Sequence, residues 1–61
     1  MPKDGKYTIL LVDDDSNFRE VIKTKLETAG FIVIEASNGE EGFEKTKELK
    51  PDLVLMDVQM P

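Results

Sequence analysis

Apolar residues along the chain gather into three short, nearly unbroken runs, with two stretches of helical spacing between them. The runs are ILLV at Ile9–Val12, FIVIEA at Phe31–Ala36 and LVLM at Leu53–Met56. Uninterrupted, branched runs of this length suit strands covered on both faces, as in a parallel sheet. The first strand is read over Tyr7–Val12. Along Asn17–Ala29 the apolar positions are Phe18, Val21, Ile22, Leu26 and Ala29. They make one helical stripe, which turns Arg19, Glu20, Lys23 and Glu27 toward water. A second helix is expected over Glu40–Leu49, with Phe43, Thr46 and Leu49 on its inner side.

Punctuation supports these boundaries. Asp15 or Ser16 offers a side-chain oxygen to cap the first helix. Gly30 suits the left-handed residue that ends it. Asn38 and Glu41 have the spacing of a capping box. Glu40, Glu41 and Glu44 near the second helix's start, and Lys45, Lys47 and Lys50 near its end, match the macrodipole's sign. Pro51 stops it. Strand, helix, strand, helix, strand amounts to two consecutive βαβ units with right-handed crossovers. The expected fold is α/β, a parallel sheet with one helix on each face. Phe18, Phe31 and Phe43 are assigned to its core.

Composition narrows the function. The chain has 61 residues, one small domain or part of one, and no cysteine or histidine. Disulfides, thiolate or imidazole metal ligation and imidazole acid–base chemistry are thereby excluded. A net charge of −5 and a pI near 4.5 argue against nucleic acid and anionic membrane as partners. No segment approaches the roughly 20 apolar residues of a membrane span, and the start lacks a signal peptide's apolar core. A soluble, cytoplasmic protein is expected. Residues 1–6 (MPKDGK) read as a flexible lead, and residues 7–61 as the folded unit. Gly39 and Gly42 lack the spacing of a nucleotide-binding loop.

Chemistry concentrates where the first strand runs into Asp13, Asp14, Asp15 and Ser16. The carboxyl edge of an open α/β sheet is where ligands bind. Consecutive carboxylates repel one another unless something positive sits among them. Asp57 closes the third strand as Asp13 and Asp14 close the first. If those strands are neighbours, three carboxylates and a nearby backbone carbonyl form an all-oxygen site suited to Mg²⁺, with Mn²⁺ as an alternative. Asp15 is left to cap the helix or face solvent, and the run Glu40–Glu48 is read as a solvated face.

Four segments carry a specific likeness: LLVDDDSNFR at Leu10–Arg19, AGF at Ala29–Phe31, ASNGEEGFE at Ala36–Glu44 and KPDLVLMDVQMP at Lys50–Pro61. Paired acids followed about forty residues later by strand–Asp–x–x–Met–Pro resemble the N-terminal half of a bacterial response-regulator receiver domain of the chemotaxis-regulator type. The resemblance implies the βαβαβ half of a flavodoxin-like doubly wound sheet, strand order 2-1-3. It makes Asp57 the phospho-acceptor, Asp14 a direct metal ligand, Asp13 a ligand mainly through water, and Gln59 the donor of a backbone carbonyl. It further implies a phosphorelay role, with a sensor histidine kinase or phosphotransfer protein as the full-length parent's partner. Receiver domains have about twice this length. The Ser/Thr and Lys that contact the phosphoryl group follow strands four and five, so residues 7–61 read as a truncated receiver domain, impaired in phosphorylation and not itself an enzyme.

Two further readings compete. With order 2-1-3, Leu53–Val58 would be an open apolar edge, and pairing with a second copy would give a homo-oligomer. Alternatively, Asp13 and Asp15 imitate the Asp-x-Asp of haloacid-dehalogenase-type phosphohydrolases, as nucleophile and general acid. The DVQMP ending disfavours that reading.

Overall fold

The structure is a computed structural model and describes residues 6–56. The elements follow in the expected order: β1 (Thr8–Val12), α1 (Ser16–Thr28), β2 (Ile32–Ala36), α2 (Gly39–Leu49) and β3 (Leu53–Met56). The strands form one parallel sheet in the order β2-β1-β3. Four of the five elements differ from the sequence reading by a single residue at one or both ends, and β3 matches it. Apart from Lys6, the lead expected over residues 1–6 lies outside the described residues, as do Asp57 and Gln59.

The local signals act as their chemistry requires. Asp15 is the N-cap of α1, its Oδ1 accepting from the amides of Asn17 and Phe18 at 3.0 and 3.2 Å. At the other end Gly30 has φ +100°. The amide of Gly30 donates to the Glu27 carbonyl and that of Phe31 to the Leu26 carbonyl, each at 3.0 Å. These are the paired bonds of a Schellman termination, which carries the chain straight into β2. The second helix opens with Asn38 Oδ1 accepting from the Glu41 amide at 2.8 Å. The return arm of this cap differs from the simple capping box. Glu41 Oε1 reaches past Asn38 to accept from the amide and hydroxyl of Ser37, at 2.6 and 2.9 Å. Both bonds favour the charged carboxylate and hold the Glu41 pKa below its ordinary value.

Alternation along the strands divides the two faces. On one face Leu10, Val12, Ala36 and Ile34 pack into the core, and Val12 meets Gly42 of α2. On the other, Ile9 joins Leu26 of α1, with Tyr7, Phe31, Leu53 and Leu55, around an apolar groove of about 410 Å³. One helix thus lies on each face, and both pack over β1 and β2. The central strand is enclosed, with Ile9, Leu10, Leu11 and Val12 all buried.

That placement corrects the core assignment. Phe18 and Phe43 are 53% and 62% exposed, and Phe31 is half-buried. Val21 on α1 and Leu49 on α2 are also exposed. A helix seated over β1 and β2 brings only part of its apolar stripe onto the sheet, and the remainder faces outward. Phe43 lies beneath the Lys47 ammonium one turn on, at 5.2 Å from the ring centroid. The closest approach of α2 to β1 is at Gly42, its buried residue, which sits against Val12.

Candidate functional site

The carboxyl edge of the sheet is aligned by its register. Val12 stands opposite Ala36 of β2 on one side and Met56 of β3 on the other. The pairing of β1 with β3 is pinned at its far end by Asp52, whose Oδ2 accepts from the Thr8 amide at 2.7 Å while its own amide donates to the Thr8 carbonyl at 2.8 Å. A one-residue slip would break both bonds.

Asp13 continues β1 by one residue and is 2% exposed. Its amide donates to the Ala36 carbonyl at 3.1 Å, extending the ladder with β2. Its Oδ1 accepts from the Asp15 amide at 2.9 Å, which bends the chain from strand toward helix. Its carbonyl accepts from Arg19 Nη1 at 2.6 Å. Asp14 is exposed at the rim. Asp15 caps the helix through Oδ1, as the sequence suggested.

Beside the acidic loop sits a charged cluster that the sequence reading turned toward water. Arg19 Nε donates to Glu35 Oε1 at 3.0 Å, and Lys23 Nζ to Glu35 Oε2 at 3.3 Å. Lys45 of α2 donates to the Glu35 carbonyl from the opposite face of the sheet. Only 16% of the Arg19 side chain is exposed. The Arg19 hydrogen bond, aided by Lys23, holds the Glu35 carboxyl below its ordinary pKa against the opposing effect of burial. One signal could have found this cluster. Glu35 is the sole charge in an otherwise apolar strand, and a charge so placed needs partners.

Of the four proposed site residues, the structure places Asp13 and Asp14 side by side on the β1–α1 turn. Asp57 and Gln59 fall outside the described residues. Among the described residues no three carboxylates gather closely enough to hold a metal on their own. Asp13 and Asp14 supply hard oxygen donors of the kind Mg²⁺ takes, one buried and one at the rim, so a third protein ligand from another segment fits the pair.

Comparison with known proteins identifies the architecture. The family model described as the response regulator receiver domain matches residues 9–61. The chain belongs to that family. It is 50% identical over 54 residues to the chemotaxis protein CheY of Thermotoga maritima, covering 87% of this chain and 45% of that protein. Against the CheY of Bacillus subtilis it is 50% identical over 56 residues, covering 90% of this chain and 47% of that one. The alkaline phosphatase synthesis transcriptional regulatory protein PhoP of Bacillus subtilis is 43% identical over 53 residues, covering 87% of this chain and 22% of the regulator. The chain thus spans less than half the length of these curated relatives. For a receiver-family chain, the strand order β2-β1-β3 is the N-terminal half of the flavodoxin-like sheet, and the family is one of two-component phosphorelay signalling. Among the described residues no helix is long and apolar enough to cross a membrane.

Proposed function

We propose that this chain carries the phosphoryl-accepting end of a phosphorelay receiver, with Asp57 as acceptor and Asp13, Asp14, Asp57 and the Gln59 carbonyl as its Mg²⁺ ligands. One observation supports this most. Val12 and Met56 face each other on adjacent parallel strands, and the next residue in sequence after each is an aspartate. Asp14 would bind the metal directly. Asp13, with one oxygen already given to the Asp15 amide, would act mainly through a water.

Asp57 attacks the phosphorus of a phosphohistidine on a sensor kinase or phosphotransfer protein. An Asp57 O–P bond forms, the P–N bond breaks, and the imidazole leaves with the electron pair and takes up a proton. The bound divalent cation supplies charge neutralisation between the anionic nucleophile and the anionic phosphoryl group. The product adds negative charge beside the β1–α1 turn, where it can reorganise neighbouring loops. Incubation with acetyl phosphate and Mg²⁺ tests the assignment. Intact-mass spectrometry should show one added phosphoryl group, lost in Asp57→Asn and kept in Asp15→Asn. Phosphorylation surviving Asp57→Asn would overturn it.

A second reading, self-association, has its own supporting observation. The strand β3 ends the described sheet with Leu53, Val54 and Met56 exposed at 51%, 38% and 51%. An apolar edge of this kind templates strand pairing with a second copy. Light scattering at rising concentration reads it. A monomer throughout would contradict it.

A further inference from the structure

The Arg19–Glu35 pair lies outside the acidic set just described, yet it touches that set at one atom, the Asp13 carbonyl. We propose that Arg19, held by Glu35, is a positioning residue that fixes the Asp13–Asp14 turn in the geometry its cation requires. The proposal rests on the metal reading above and extends it to residues that ligate nothing.

The geometry carries it in three steps. First, the Asp13 backbone is tied on both sides of its α-carbon by different partners. Its amide is held by β2 through the Ala36 carbonyl, and its carbonyl by Arg19 Nη1 at 2.6 Å. The carbonyl bond fixes the peptide plane between Asp13 and Asp14, and therefore the direction in which Asp14 leaves the strand. Second, Arg19 is itself immobilised. Its Nε donates to Glu35 Oε1 at 3.0 Å, and Glu35 is steadied by Lys23. A planar guanidinium can satisfy a carbonyl and a carboxylate at once in a fixed fork, which a lysine ammonium cannot reproduce. Third, the described ion pair of Arg19 is with Glu35. The cation of the side chain is spent on Glu35 and a backbone oxygen, which leaves the Asp13 and Asp14 carboxylates to a metal.

The proposal makes a sign prediction that simple electrostatics reverses. If Arg19 acted only as a nearby positive charge, its removal would strengthen Mg²⁺ binding to the carboxylates. If it positions the turn, removal weakens binding, on the order of tenfold, as for other residues that orient metal ligands. Mg²⁺ titrations of the 61-residue chain, followed by the amide resonances of Asp13 and Asp14, would be run on wild type, Arg19→Met, Arg19→Lys and Glu35→Gln, with folding checked by circular dichroism.

The expected order of affinity is wild type, then Glu35→Gln and Arg19→Lys with partial losses, then Arg19→Met. Equal or tighter binding in folded Arg19→Met overturns the proposal while leaving the metal site intact. If Arg19→Met does not fold, unchanged affinity in both Glu35→Gln and Arg19→Lys overturns it in the same way. A wild type that shows no response to Mg²⁺ at millimolar concentration instead overturns the metal reading on which the proposal rests.

Discussion

The strands β1 and β3 are close in composition, paired in register and parallel, yet their environments are opposite. In β1, Leu10 and Val12 are fully buried, whereas in β3 Leu53 and Met56 are half exposed. ILLV and LVLM are interchangeable as patterns. The difference lies in their neighbours. Strand β1 has a strand on each side and a helix over each face, while β3 has β1 on one side and both helices lie over β1 and β2. Hydrophobic pattern reports what a segment can bury, and position in the sheet decides what it does bury.

Truncations at paired positions test that contrast with the largest effect. Leu10→Ala removes a fully buried side chain and should cost about 2–5 kcal/mol, enough to unfold much of so small a domain. Its register partner Val54 is 38% exposed, and Val54→Ala should cost less than about 1 kcal/mol. Chemical denaturation measures both, and equal losses would refute the difference in burial.

An intermediate effect is expected where α2 meets β1. A Cβ at Gly42 would lie 2.7 Å from Val12 Cγ2. Alanine there gains about 1 kcal/mol of helix propensity but forces an overpacking cost of about 1–3 kcal/mol. Gly42→Ala should therefore destabilise by roughly 1 kcal/mol. In a Val12→Ala background the clash disappears and the same change should stabilise. A double-mutant cycle reads the reversal.

The smallest effect belongs to Glu35. Its carboxyl is held below the ordinary value of 4.5, so its ion pairs add stability above that pH and lose it as pH falls through the lowered pKa. The pair is partly screened, so the contribution is about 0.5 kcal/mol or less. Stability of Glu35→Gln should trail wild type by a constant margin above about pH 6 and converge on it in acid. A gap that widens in acid would contradict the pairing.

The elements and their ends were legible because each rests on chemistry within a few residues. Asp15 caps, Gly30 takes positive φ, Asn38 caps, and three apolar runs become strands. The order of the strands came through family likeness, since no local pattern says that β1 lies between the other two. The exposure of Phe18 and Phe43 was illegible for the reason just given for β3, since periodicity does not report where a helix sits on a sheet. The place of Asp13 and Asp14 at the carboxyl end of β1 was legible from the aspartates that follow ILLV. Arg19 was not, because its bond to the Asp13 carbonyl and its pairing with Glu35 join residues six and sixteen positions apart. The lone charge in β2 was the clue.

The central claim is that the turn after β1 and the residue after β3 serve one divalent ion. Substoichiometric Mn²⁺ tests it directly, because a paramagnetic ion broadens the amide resonances around it. The account predicts joint broadening of residues 12–15 and 56–59, reversed together by excess Mg²⁺. Broadening confined to one strand end, or spread along the glutamates of α2 instead, would contradict it.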